Sequence, residues 1–208
     1  MTVRSLFPTL IYRAPLGGRD PGHFTQRLLD EAEALRLHDE AGQSWSDKHY
    51  VGGYTSYATH AKLHRTSSTF GELERRLMPH ARAFAARLHY DLRGRTIDMT
   101  DCWVNVMPAQ VAHGMHLHPL SFLSGTYYVR TPRGSAGLKF EDPRLSKLMA
   151  APPRRADAPA ALRPFITMSV RAGTVILFES WLRHEVPATR VAGERVSISF
   201  NFAWSDKR

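Results

Sequence analysis

From Thr96 onward, apolar and polar residues alternate in short runs broken by glycine and proline. An alternation of period two assigns one set of side chains to each face of a strand. Candidate strands cover residues 96–107, 111–118, 122–130, 137–140, 165–170, 174–178, 182–186 and 194–204. Eight short strands with turn signals between them predict a sandwich or jelly roll. No internal repeat is found.

The N-terminal part follows another period. Residues 6–12 read as a short entry strand. Asp20-Pro21 then reads as a helix start, with the acid as N-cap and proline in the first position. Phe24, Leu28, Leu29, Ala32 and Leu35 keep helical spacing after it. Residues 42–68 are polar and read as an ordered loop region bordering a site. Ser67 or Ser68 caps a second predicted helix, which turns Phe70, Leu73, Leu77, Ala81, Phe84 and Leu88 inward and carries Pro79 as a candidate kink. Helices followed by strands predict one α+β domain over residues 1–208, helical over about 1–92 and a jelly roll over about 93–208. Residues 150–162, rich in Ala, Pro and Arg, read as a solvated connector, with a substrate lid as the alternative.

The chain has 208 residues, enough for one well-packed core, and a net charge of +9. That charge permits contact with nucleic acid, but no basic run exceeds two residues and no nucleic-acid-binding signature is present, so nucleic acid is not an expected partner. Cys102 is the sole cysteine. An intrachain disulfide and a multi-thiolate zinc site are excluded, and a reducing cytoplasm is expected. No signal peptide and no membrane span are expected. Oligomeric state is open, a homodimer included.

Three of the 11 histidines fall between His113 and His118. His116 and His118 stand at i and i+2, on one face of a strand, and a third imidazole from His184 would complete a facial metal site. Imidazole alone does not choose among iron, zinc, copper and nickel. His113 has the opposite parity, so a regular strand points it away, but a bulge at Gly114 would bring it in as a reserve ligand. His60, His64, His80 and His89 lie in the helical half and read as packing or surface residues. Arg195 sits in an alternating run, where a fixed guanidinium can bind a carboxylate through two hydrogen bonds. Arg190 is its rival in the same hairpin. Ser197 shares the face of Arg195, and Tyr128 and Asn105 are candidate donors from neighbouring strands. Tyr127 points the other way. Trp181 and Phe178 read as core or pocket wall.

These pieces resemble the 2-oxoglutarate and Fe(II)-dependent oxygenases, most closely a bacterial family of them related to the prolyl hydroxylases. The matching residues are His116-Leu117-His118-Pro119, Leu123 to Val129, Phe140-Glu141-Asp142-Pro143-Arg144, Leu177 to Val186 and Arg195 to Asn201. Leu6-Phe7-Pro8-Thr9 and Gly53-Tyr54-Thr55-Ser56 add to them. The wider superfamily carries an acid where this chain has His118, a departure the closer family shares.

The resemblance implies an α+β fold with a double-stranded β-helix (jelly roll, cupin-like) core and supporting N-terminal helices. It implies Fe(II) held by His116, His118 and His184. It also implies 2-oxoglutarate as co-substrate, its distal carboxylate on Arg195 with Ser197, Tyr128 and Asn105 nearby. The implied activity is that of a dioxygenase (hydroxylase) using O2 on a small-molecule or peptidyl substrate. The alternatives are a three-histidine dioxygenase that needs no 2-oxoglutarate, and a non-catalytic metal-binding module.

Overall fold

The structure, a computed structural model, describes residues 1–206. Its framework is a six-stranded sheet in the order β1-β8-β5-β10-β3-β2. These strands are β1 (Tyr12–Pro15), β2 (Tyr54–Thr55), β3 (Arg95–Met107), β5 (Leu123–Arg130), β8 (Thr174–Glu179) and β10 (Arg195–Asp206). A four-stranded sheet, β4-β9-β6-β7, faces it. It comprises β4 (His113–His116), β6 (Leu138–Glu141), β7 (Phe165–Met168) and β9 (His184–Val186). All assigned pairings between strands are antiparallel. The result is the expected double-stranded β-helix with helices on one side, and all eight predicted strands form.

The period-two pattern explains the layering. On β10, Val196, Ile198, Phe200 and Phe202 are fully buried toward the helices. On β3 and β5, Cys102, Val104, Val106, Leu123, Tyr127 and Val129 share that face. Against them pack Phe24, Leu28 and Ala32 of α1 (Pro21–His38) and Phe70, Leu73, Leu77, Ala81 and Phe84 of α4 (Ser68–Arg87). Their i, i+3/i+4 spacing makes one apolar stripe on each helix. Gly125 of β5 lies under this layer; a Cβ there would stand 2.5 Å from Leu177 Cδ2 and 2.6 Å from Phe200 Cε2.

The opposite face meets the smaller sheet. Its apolar members are Met107, Tyr128, Ile176 and Phe178, packed with Leu138, Phe140, Leu182 and Val186. Between them the same face carries buried polar residues: Asn105, Ser124, Thr126, Arg195, Ser197 and Asn201. A polar stripe inside a double sheet costs stability unless each group finds a partner.

The helix starts form as read: Asp20 accepts from His23 N, and Ser67 accepts from Thr69 N and Phe70 N. α4 runs on through Pro79. Two expectations need correcting. The entry strand begins at Tyr12, not residue 6; Phe7 holds a positive φ of 56° and Pro8 has no N–H to give a ladder. Residues 42–68 are not a loop throughout. They contain most of α2 (Glu40–His49), β2 and a short α3 (Leu63–Thr66). Asp39 caps α2 through Gly42 N and also takes hydrogen bonds from Tyr54 and Thr59 hydroxyls. One buried carboxylate thus orders the whole segment. Among the described residues no helix is long and apolar enough to cross a membrane.

Candidate functional site

His116 ends β4, His184 opens β9, and the two are paired across the ladder. His118 follows two residues later, with its backbone N–H donated to Ser180 O at 3.0 Å. One ring nitrogen from each of His116, His118 and His184 lies within 4.8 Å of the others.

The hydrogen bonds fix which nitrogen each ring offers. His116 Nδ1 is 2.7 Å from Gly114 O, and His184 Nδ1 is 2.9 Å from Leu182 O. A carbonyl only accepts, so both Nδ1 atoms carry the proton and donate it. His118 Nδ1 is 2.6 Å from Asn201 Oδ1. That assignment follows from the next link: Asn201 Nδ2 donates to the Asp101 carboxylate, which only accepts. Ser124 Oγ donates to the same Asn201 Oδ1. All three rings therefore keep Nε2 as a lone pair directed away from its backbone or amide anchor. Burial lowers the pKa of all three rings, that of His184 to about 3. They are neutral at physiological pH, the form in which imidazole binds a metal.

His113 corrects the parity expectation. The β4–β9 register breaks between His113 and His116, and this irregularity turns His113 inward. Its ring stacks on His116 at 4.3 Å and 11° and lies 5.2 Å from Tyr50. Burial, with the neighbouring His116, pushes its pKa down to about 3. It lines the same cavities but is not part of the three-nitrogen cluster.

Arg195 is buried, at 4% exposure, at the start of β10. Ser197 faces Asn105 on one neighbouring strand and Tyr128 on the other, so the four predicted residues share one patch. The guanidinium lies 5.0 Å from the Tyr128 ring, and its Nη1 is 3.0 Å from Met107 Sδ, a weak acceptor. No carboxylate of the protein pairs with it among the described residues. Arg195 Nε, Tyr128 Oη, Asn105 Oδ1 and Tyr50 Oη are all buried without a hydrogen-bond partner. Four such orphans in one place mark a site that awaits a polar ligand, since each costs about 1–3 kcal/mol unsatisfied. Arg190, the rival, is exposed.

Two cavities meet at the histidines. An inner one of about 30 Å3 is bounded by Arg195, Asn105, Ser197, Leu138 and Phe178. An outer one of about 500 Å3 opens beyond it, and His113, His116, His118, Tyr50 and Trp103 border both. Phe178 is core, packed on His184 at 4.5 Å, whereas Trp181 is 45% exposed and belongs to neither core nor pocket wall. Tyr127 faces the helices and bonds Thr25. His64 and His80 hold backbone carbonyls, as packing residues do.

Sequence reasoning missed Asn201, Tyr50, Trp103 and Asp101. Asn201 was findable, since it continues the Arg195, Ser197, Ser199 face. Tyr50 had no signal beyond lying in a segment expected to border the site.

Residues 101–201 match the profile of a family described as "Putative 2OG-Fe(II) oxygenase". The match spans most of the strand half of the chain. No protein of curated function matches the chain by sequence. Solved structures share the oxygenase fold across nearly all of it. The epimerase SnoN, in a complex with Fe3+, alpha ketoglutarate and a nogalamycin compound, superimposes with TM-score 0.61 at 19% identity, covering 97% of this chain and 82% of its own. A Pseudomonas putida prolyl-4-hydroxylase gives 0.59 at 14%, covering 96% and 94%. HygX from Streptomyces hygroscopicus, with nickel, 2-oxoglutarate and hygromycin B bound, gives 0.60 at 14%, covering 94% and 83%.

Proposed function

We propose that this protein is an Fe(II)- and 2-oxoglutarate-dependent dioxygenase that hydroxylates its substrate. The observation that carries the reading is the pairing of three converging neutral imidazoles at the smaller sheet with a buried arginine on the facing sheet that has no carboxylate partner among the described residues.

The donor set fits such a metal. Three neutral nitrogens, from β4, the segment just after it and the neighbouring β9, suit a facial site on Fe(II). Backbone carbonyls and Asn201 hold the rings in one tautomer and orientation, the role that outer hydrogen bonds play around metal ligands. The orphaned Arg195 Nε and Tyr128 Oη fit a carboxylate: a guanidinium and a phenol donate to it, and the aromatic ring beneath keeps the arginine in place. When bound, Fe(II) and 2-oxoglutarate would activate O2, the co-substrate being oxidised to succinate and CO2 with one oxygen atom and the other passing to the substrate as hydroxyl.

The remaining work belongs to this chain. Arg195, Tyr128 and Ser197 hold the distal carboxylate of the co-substrate, and Asn105 adds a polar contact. Phe178, Leu138 and Val186 keep water from that end, which strengthens the ionic contact. The outer cavity takes the substrate. Residues 1–208 act as one domain, because helices and strands share one apolar core, and the lone buried Cys102 suits a reducing cytoplasm.

The all-histidine set also fits a dioxygenase that needs no 2-oxoglutarate, with Arg195 holding the carboxylate of the primary substrate. Succinate formation separates the two. Iron-loaded protein incubated with O2 and 2-oxoglutarate should release succinate, and Arg195→Ala should not. Absence of succinate in the wild type, with iron bound, defeats the proposed reading in favour of the second.

A further inference from the structure

The outer cavity has a charge that runs against the chain. The protein carries 28 Lys and Arg against 19 Asp and Glu, yet no lysine or arginine lines this cavity. Its one carboxylate is Asp101. Aromatic rings of Trp45, Tyr50, Tyr57 and Trp103 supply much of the remaining wall. Tyr57 and Trp103 meet edge to face at 5.0 Å, and Trp103 lies 5.7 Å from His118.

Asp101 is half-buried and only half used. Its Oδ2 accepts from Thr100 Oγ1 at 2.8 Å and from Asn201 Nδ2 at 3.2 Å. Its Oδ1 has no hydrogen-bond partner and no cation within ion-pair distance among the described residues. On β3, Asp101 and Trp103 stand at i and i+2 and so share a face. An anion beside aromatic faces is the arrangement that recognises an organic cation: the carboxylate pairs with the charge and the ring quadrupoles attract it.

We propose that the substrate of this site is a small molecule bearing an ammonium group, held by Asp101 against Trp103 and Tyr57. The assignment rests on the oxygenase reading for the position of the chemistry. A cavity of about 500 Å3 matches a drug-sized ligand. Because Asn201 joins Asp101 to His118, a cation on Oδ1 stands next to the histidine cluster and is oriented with respect to it.

Ligand-observed NMR titrations on zinc-loaded protein test this with three probes of similar shape: benzylamine, benzyl alcohol and benzoate. Benzylamine should bind about tenfold or more tightly than the other two. Asp101→Asn keeps acceptors for Thr100 and Asn201 but removes the charge, and should abolish that preference. Tyr57→Leu, at an exposed position, should weaken benzylamine and leave benzyl alcohol within about twofold. Equal or tighter binding of benzoate or benzyl alcohol by the wild type overturns the proposal. So does a preference that survives in Asp101→Asn. A short peptide with one central lysine, capped at both ends, separates the sources: binding as tight as benzylamine overturns the small-molecule assignment. Zinc and 2-oxoglutarate binding are read by calorimetry on the same samples. Intact binding of both without a cation preference defeats this inference alone. A cation preference without either defeats only the oxygenase reading.

Discussion

His118 Nδ1 lies 2.6 Å from Asn201 Oδ1, joining residues 83 positions apart. His116 and His184 hold backbone carbonyls instead, two residues before each. His118 is thus the one member of the cluster whose orientation depends on another side chain.

Asn201→Leu should therefore loosen metal binding without removing a ligand. Loss of a hydrogen bond that orients a metal-binding histidine typically costs 10–100-fold in affinity. Asn201→Asp, which keeps an acceptor for Nδ1, should lose less. Competition titrations with a zinc chelator measure both. Equal affinity for Asn201→Leu and wild type contradicts the role.

The histidines themselves should split into two groups. His116→Ala, His118→Ala and His184→Ala each remove one of three ligands, and each should weaken Fe(II) or Ni(II) at least tenfold. His113→Ala removes a ring that stacks on His116 but lies outside the cluster, and should change affinity by less than about threefold. A larger loss for His113→Ala than for His118→Ala would place the second ligand at His113.

Acid should destabilise the metal-free protein before it touches most carboxylates. Burial depresses the pKa of His113 and His184 to about 3 and lowers those of His116 and His118. Between the ordinary histidine value near 6.5 and the depressed ones, the unfolded chain binds more protons than the folded one. The stability is fully present above about pH 6.5 and falls as pH drops toward 3. Each such histidine adds up to about 1 kcal/mol per pH unit to the slope in that window. Urea midpoints in chelator from pH 7.5 to 4.5 measure the slope. His113→Phe should flatten it, and a slope of zero in the wild type contradicts the buried neutral cluster.

The strands were legible because period two survives in them: Val196, Ile198, Phe200 and Phe202 read as one face and are one face. The ligand candidates were legible as an i, i+2 pair, His116 and His118, with a third imidazole at His184, whereas the ladder pairing of His116 with His184 was not. The inward turn of His113 was not, since it depends on a local break in register that Gly114 permits but does not compel. Trp181 misled, because an aromatic beside a histidine motif looks like wall, whereas the turn between β8 and β9 leaves it half in solvent. Asp39 ordered a segment that looked like loop. Its effect works through tertiary hydrogen bonds to Tyr54 and Thr59, which no local pattern announces.

The most direct test of the oxygenase reading is calorimetry of 2-oxoglutarate on anaerobic, Fe(II)-loaded protein, with absorbance followed in parallel. The wild type should bind one equivalent and develop a metal-to-ligand charge-transfer band. Arg195→Ala leaves a buried carboxylate unpaired, at a cost of about 2 kcal/mol or more, and should bind roughly 30-fold or more weakly. Arg195→Lys should recover only part, because an ammonium lacks the planar fork, and Arg190→Ala should bind normally. No 2-oxoglutarate binding by iron-loaded wild type at millimolar concentration would contradict the account.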